Sequence, residues 1–84
     1  MGLLGVKVRV ALHGGLKLMI EGDSDGQFAV TTELEEMTVA DLVRNIGLPL
    51  EEIGISVVNG EVVRLHATIR DGDSVAFYPI LVNG

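Results

Sequence analysis

The chain has 84 residues, with twelve Asp and Glu against six Lys and Arg for a formal charge of −6, and no cysteine. The missing cysteines exclude disulfides, thiolate metal sites and thiol nucleophiles, and the negative charge opposes direct binding of a phosphate backbone. Although 48% of the residues are apolar, charged residues or glycines interrupt every stretch before the roughly 18–20 residues that span a bilayer, so one small soluble domain is expected.

The N-terminal Met1-Gly2-Leu3-Leu4-Gly5-Val6 lacks both the basic flank and the long apolar core of a secretion signal, which points to a cytoplasmic protein. From residue 6 to 12, Val6, Val8, Val10 and Leu12 alternate with Lys7, Arg9 and Ala11 at the period of a half-buried strand. His13-Gly14-Gly15 breaks that pattern. Residues 16–20 are apolar enough to continue as a short strand, before Glu21-Gly22-Asp23-Ser24-Asp25-Gly26 makes a polar turn. Alternation resumes through Phe28, Val30, Thr32 and Leu34, and the connection is too short for a helical crossover, so this second strand pairs antiparallel with the first.

Thr38 and Asp41 have the spacing of a capping box, and Val39, Leu42, Val43 and Ile46 then recur at i, i+3, i+4 and i+7. An amphipathic helix over 39–46 follows, stopped by Gly47 and kept from resuming by Pro49. Next, 55–58 and 61–63 flank Asn59-Gly60, a hairpin signal because a type I′ turn needs two positive φ values. Asp71-Gly72-Asp73 marks another tight turn before a final β-rich run over 74–78. Two strands, a helix and further strands give an α+β class, in which one helical stripe covers one face of a mixed sheet of four to five strands.

No catalytic constellation stands out. His13 and His66 have no neighbouring ligands or activated serine at a workable spacing, so no metal site is assigned. Asp23-Ser24-Asp25-Gly26 lacks the remaining ligands of a calcium loop, Gly14-Gly15 lacks the Lys and Ser/Thr of a phosphate loop, and Asp71 and Asp73 read as turn chemistry. Glu33, Glu35 and Glu36 read most simply as a solvated strand end, with orientation of a basic partner as the alternative.

Taken in order, Val6-Lys7-Val8-Arg9-Val10, Thr38-Val39-Ala40-Asp41-Leu42, Leu48-Pro49-Leu50-Glu51-Glu52, Val57-Val58-Asn59-Gly60-Glu61-Val62-Val63 and Asp71-Gly72-Asp73-Ser74-Val75-Ala76-Phe77-Tyr78-Pro79 resemble the ThiS/MoaD family of sulfur carriers. The likeness spans most of the chain except residues 14–26. It implies a ubiquitin-like β-grasp domain over 1–79 and a flexible tail over 80–84. It also implies that the chain is not an enzyme and binds no cofactor stably: an E1-like enzyme using ATP adenylates the terminal Gly84, which then becomes a thiocarboxylate. The sulfur would pass to a pterin synthase large subunit, for molybdopterin or tungstopterin, or to a thiazole synthase, for thiamin. The free carrier is expected to be a monomer, with no nucleic-acid or membrane partner.

On the same resemblance, Val82 and Asn83 lie in the activating enzyme's channel, and Phe77, Tyr78, Ile80 and Leu81 contribute to docking. This chain departs from the family in ending Asn83-Gly84 where the family has Gly-Gly. Glycine admits close approach to its carbonyl, whereas the Asn83 amide occupies width, so the alternative is a β-grasp interaction module without carrier activity. From Pro79, residues 80–84 reach roughly 17 Å if fully extended.

Overall fold

The computed structural model describes residues 5–20, 26–34 and 36–80. Strand β1 (Val6–Leu12) buries Val6, Val8, Val10 and Leu12 on one face, as its alternation requires. Gly14, at φ 59°, then turns the chain out of the ladder. In place of the expected strand continuation, Gly14–Met19 form a 3-10 turn, opened by the Leu16 N–H donating to the His13 carbonyl at 3.3 Å. The turn drops Leu16 into the core and leaves Leu18 88% exposed, a separation that a period-2 strand would not give two residues on the same face.

Strand β2 (Gln27–Thr32) pairs antiparallel with β1, with Val8 opposite Val30. It stops two residues short of the expected Leu34. Thr32 Oγ1 accepts the Leu34 N–H at 3.2 Å, which bends the backbone out of the ladder and leaves Leu34 half exposed.

A two-residue strand β3 (Met37–Thr38) leads directly into helix α1 (Val39–Ile46). The capping box is complete: the Asp41 N–H donates to Thr38 Oγ1 and the Thr38 N–H to Asp41 Oδ2, both at 3.1 Å. These hydrogen bonds to Thr38 hold the Asp41 carboxyl below its ordinary value. Two further N-terminal amides of the helix, Val39 and Ala40, donate to the carbonyls of Ala67 and Leu65. That loop is held by strand β6 (Thr68–Ile69), which pairs with β3 in a small ladder that no local pattern announces. At the other end Gly47 takes φ 87° and the Leu48 N–H reaches back to the Val43 carbonyl at 3.1 Å, closing the helix and burying Leu48.

Strands β4 (Ile53–Val58) and β5 (Glu61–Val63) form the hairpin around Asn59 and Gly60, both at positive φ. Strand β7 (Ser74–Pro79) returns between β1 and β4. The main sheet runs β2-β1-β7-β4-β5, with β1 and β7 parallel and the other pairs antiparallel. Its inner face and α1 share one core in which Val8, Val10, Val75 and Phe77 meet Val39, Leu42 and Val43. The architecture is the mixed five-stranded sheet on one helix of a ubiquitin-like β-grasp. Among the described residues no helix is long and apolar enough to cross a membrane.

Candidate functional site

The end of β7 is where the globule hands over to its C-terminal segment. Alternation along the strand sends Val75 and Phe77 inward, at 2% and 0% exposure, and Ala76 and Tyr78 outward. Phe77 is therefore a core side chain with no surface to offer a partner, contrary to the docking role expected for it. Tyr78 is 38% exposed. Its ring stacks on His13, with centroids 4.3 Å apart and planes 5° from parallel. Ile55 lies opposite Tyr78 on β4 and is also half exposed, so the strand end presents an aromatic and aliphatic patch.

Pro79 is held by close backbone approach. A Cβ on Gly14 would stand 2.9 Å from Pro79 Cγ, and one on Gly54 would stand 2.6 Å from the Pro79 carbonyl oxygen. Gly54 falls where the β4–β7 register shifts between Ile53 and Ile55, a bulge that bends the strand around the exit. The His13 N–H donates to the Phe77 carbonyl at 3.0 Å, and the Ile80 N–H to the Glu52 carbonyl at 3.3 Å. Ile80 is thus tied to the body through its backbone while its side chain remains half exposed. Leu81, Val82, Asn83 and Gly84 lie outside the described residues.

The opposite end of β7 is secured by polar groups. Asp73 accepts from Asn59 Nδ2 at 2.9 Å and from the Arg70 N–H at 2.8 Å, and Asn59 Oδ1 accepts the Ser74 N–H at 2.9 Å. Asp71 accepts the Lys7 N–H at 2.8 Å. Both carboxylates are engaged in fixing the turn, the role their Asp-Gly-Asp setting suggests. His13 is occupied by its stack with Tyr78, and His66 sits exposed in the loop before β6, so the two imidazoles belong to separate surroundings. Among the described residues, no three His, Asp or Glu side chains are placed to hold a metal ion.

The Gly14–Gly54 clamp was not legible as a site. In the sequence Gly14 reads as a break in the strand and as half of a glycine pair without the Lys and Ser/Thr of a phosphate loop, and Gly54 gives no signal because its partner, Pro79, is distant in sequence.

The solved structure of a Pyrococcus furiosus protein described as molybdopterin converting factor subunit 1 superposes with a TM-score of 0.70 at 22% identity, covering 90% of this chain and 99% of that one. At that identity the likeness carries the fold, and the activity is argued separately. No curated protein matches the chain. The family model described as Mut7-C ubiquitin matches residues 5–83. The resemblance to ThiS/MoaD carriers thus holds at the level of a shared ubiquitin-like β-grasp, and the chain belongs to the Mut7-C ubiquitin family.

Proposed function

We propose that this chain is a ubiquitin-like sulfur carrier, whose C-terminal Gly84 is the group acted upon. The observation that carries this reading is the exit at Pro79, gripped by Gly14 and Gly54 at the end of the last strand of a ubiquitin-like β-grasp, from which the chain runs on to Gly84. With Ile80 tied to Glu52, residues 81–84, if extended, reach roughly 13–14 Å beyond it, enough to enter a neighbouring protein's nucleotide site.

In that site a Gly84 carboxylate oxygen would attack the α-phosphorus of ATP and release pyrophosphate, giving an acyl adenylate. Hydrosulfide or its equivalent would then attack the carbonyl carbon and expel AMP, leaving a thiocarboxylate. The chain supplies the electrophile and its aim, and the E1-like partner supplies the catalysis. Val82 and Asn83 would lie in that partner's channel, while Tyr78, Ile80 and Leu81 would meet its surface. The acceptor would be a pterin synthase large subunit or a thiazole synthase, in the cytoplasm.

Incubation with an E1-like adenylating enzyme of the same organism, ATP and a sulfide source, followed by intact mass spectrometry, is expected to show the gain of a single oxygen-to-sulfur exchange. One added residue beyond Gly84 should abolish it. No gain with an enzyme that activates its own carrier would sink the proposal.

A second reading rests on Asn83, which stands where the sulfur carriers have glycine. An interaction module without carrier chemistry needs no slim penultimate residue, and it would keep its partner after removal of Asn83 and Gly84.

A further inference from the structure

Asn59 and Gly60 occupy the turn of the β4–β5 hairpin, both exposed and both at positive φ. An Asn-Gly pair carries its own chemistry. The Gly60 amide nitrogen is a nucleophile within one residue of an electrophile, the side-chain carbonyl carbon Cγ of Asn59, and glycine has no side chain to hinder the approach. As the bond from that nitrogen to Cγ forms, the Cγ–Nδ2 bond breaks, and Nδ2 leaves as ammonia with the proton that the Gly60 amide gives up. Water then opens the succinimide ring at either carbonyl. One opening leaves aspartate, and the other leaves isoaspartate, with the backbone routed through Cγ. Water is the sole co-reactant, and nothing packs over Gly60: a Cβ built there would meet no heavy atom within 4 Å.

The fold restrains one of the two reacting groups. Asn59 Nδ2 donates to Asp73 Oδ1 at 2.9 Å, and Asn59 Oδ1 accepts the Ser74 N–H at 2.9 Å. The Asn59 backbone N–H donates to the Ser74 carbonyl at 2.8 Å, so backbone and side chain are both tied to the start of β7. Asp73 is fixed in turn, since its Oδ2 accepts the Arg70 N–H at 2.8 Å and its backbone carbonyl accepts the Arg9 N–H at 3.0 Å. The Asn59 carboxamide therefore cannot swing toward the Gly60 nitrogen without giving up both side-chain hydrogen bonds, including the one to a carboxylate.

We propose that Asn59-Gly60 is a latent site of spontaneous modification, at which the hydrogen bonds to Asp73 and Ser74 hold back conversion of Asn59 to aspartate and isoaspartate until the turn opens.

The product does not fit the turn that delayed it. Aspartate in place of Asn59 lacks the Nδ2 donor and sets a second carboxylate against Asp73, so an attraction becomes a repulsion. Isoaspartate adds a carbon to the backbone of a tight turn whose length sets the β4–β5 register. Either product loosens the anchor of β7 at Ser74, and conversion records how long a chain has spent with this turn open. Residues 81–84 take no part, so the proposal stands whether or not Gly84 is activated.

The test follows Asn59 by peptide mapping in the full chain at mildly alkaline pH, beside a synthetic peptide of residues 55–63. The folded chain is expected to convert at least about tenfold more slowly than the peptide, and unfolding in urea should remove the difference. Asp73→Ala should speed conversion in the folded chain by at least about fivefold. Asp73→Asn, which takes the charge from that hydrogen bond, is the second variant should the first fail to fold. Thr38→Ala controls for a general loss of stability: brought by urea to the same unfolded fraction, it should convert more slowly than the Asp73 variant. Asn59→Asp should lower the unfolding midpoint and shift the Arg70 and Ser74 amide resonances. A folded chain that keeps pace with the peptide, a peptide that does not convert, a Thr38→Ala rate equal to that of the Asp73 variant, or an unchanged midpoint in Asn59→Asp would each overturn the proposal.

Discussion

Phe77 and Tyr78 are neighbours in one strand, both aromatic, and they live in different worlds. Phe77 is wholly buried against α1, whereas Tyr78 keeps 38% of its surface and rests on His13. The same contrast runs across the sheet. Val8, Val10 and Val75 on the inner face are almost completely buried, while the outer positions beside them hold Lys7, Arg9, Ser74 and Ala76. The pleat divides the labour: one face holds the fold together, and the other is free to be selected for what it touches.

The largest test of that division is to truncate the two aromatics separately. Phe77→Ala removes a fully buried ring and is expected to cost about 3–5 kcal/mol in urea unfolding. Tyr78→Ala should cost under about 1 kcal/mol, and comparable losses would erase the contrast. Next comes the strand exit. Gly54→Ala drives a Cβ against the Pro79 carbonyl oxygen, so β4 and β7 must part, at about 1–3 kcal/mol and with a marked shift of the Ile80 amide resonance.

Smaller effects belong to the helix start. Thr38→Ala deletes the oxygen that accepts the Asp41 N–H and should cost about 1 kcal/mol, read as a lowered unfolding midpoint. The smallest concerns pH. Because the folded state holds Asp41 below its ordinary value of 3.8, the carboxylate's contribution is present above that value and is lost as pH falls through the lower folded one. The thermal midpoint of Asp41→Asn should therefore fall less steeply than that of the parent below about pH 4. Parallel curves would show that the capping carboxylate is not linked to stability.

What the sequence disclosed follows from the range of each signal. The helix over 39–46 and its capping box, the Asn59-Gly60 hairpin and the alternation of β1 are written in residues a few positions apart, and each has a local physical cause. The 3-10 turn at 14–19 escaped because its apolar residues resemble a strand until Leu16 is seen to bury and Leu18 to protrude. The β3–β6 ladder joins segments about thirty residues apart, beyond the reach of any local pattern.

For the candidate site, the two-residue period that buries Val75 also buries Phe77, so the docking role that the resemblance implies for that ring fails on strand geometry. The Pro79 clamp needed the strand order, since Gly14, Gly54 and Pro79 become neighbours only across the sheet.

The parallel pairing of β1 with β7 also dictates when this protein can exist at all. The two strands at the heart of the sheet come from opposite ends of the chain, so during synthesis the first strand waits for the last to leave the ribosome. Until then β1 with β2, and β4 with β5, are two separate hairpins without the joint between them, and an isolated hairpin is barely stable in water. A nascent polypeptide interrupted before Ser74 is thus a pair of orphaned halves, exposed to proteases and to aggregation, and the emergence of β7 acts as the final step of folding.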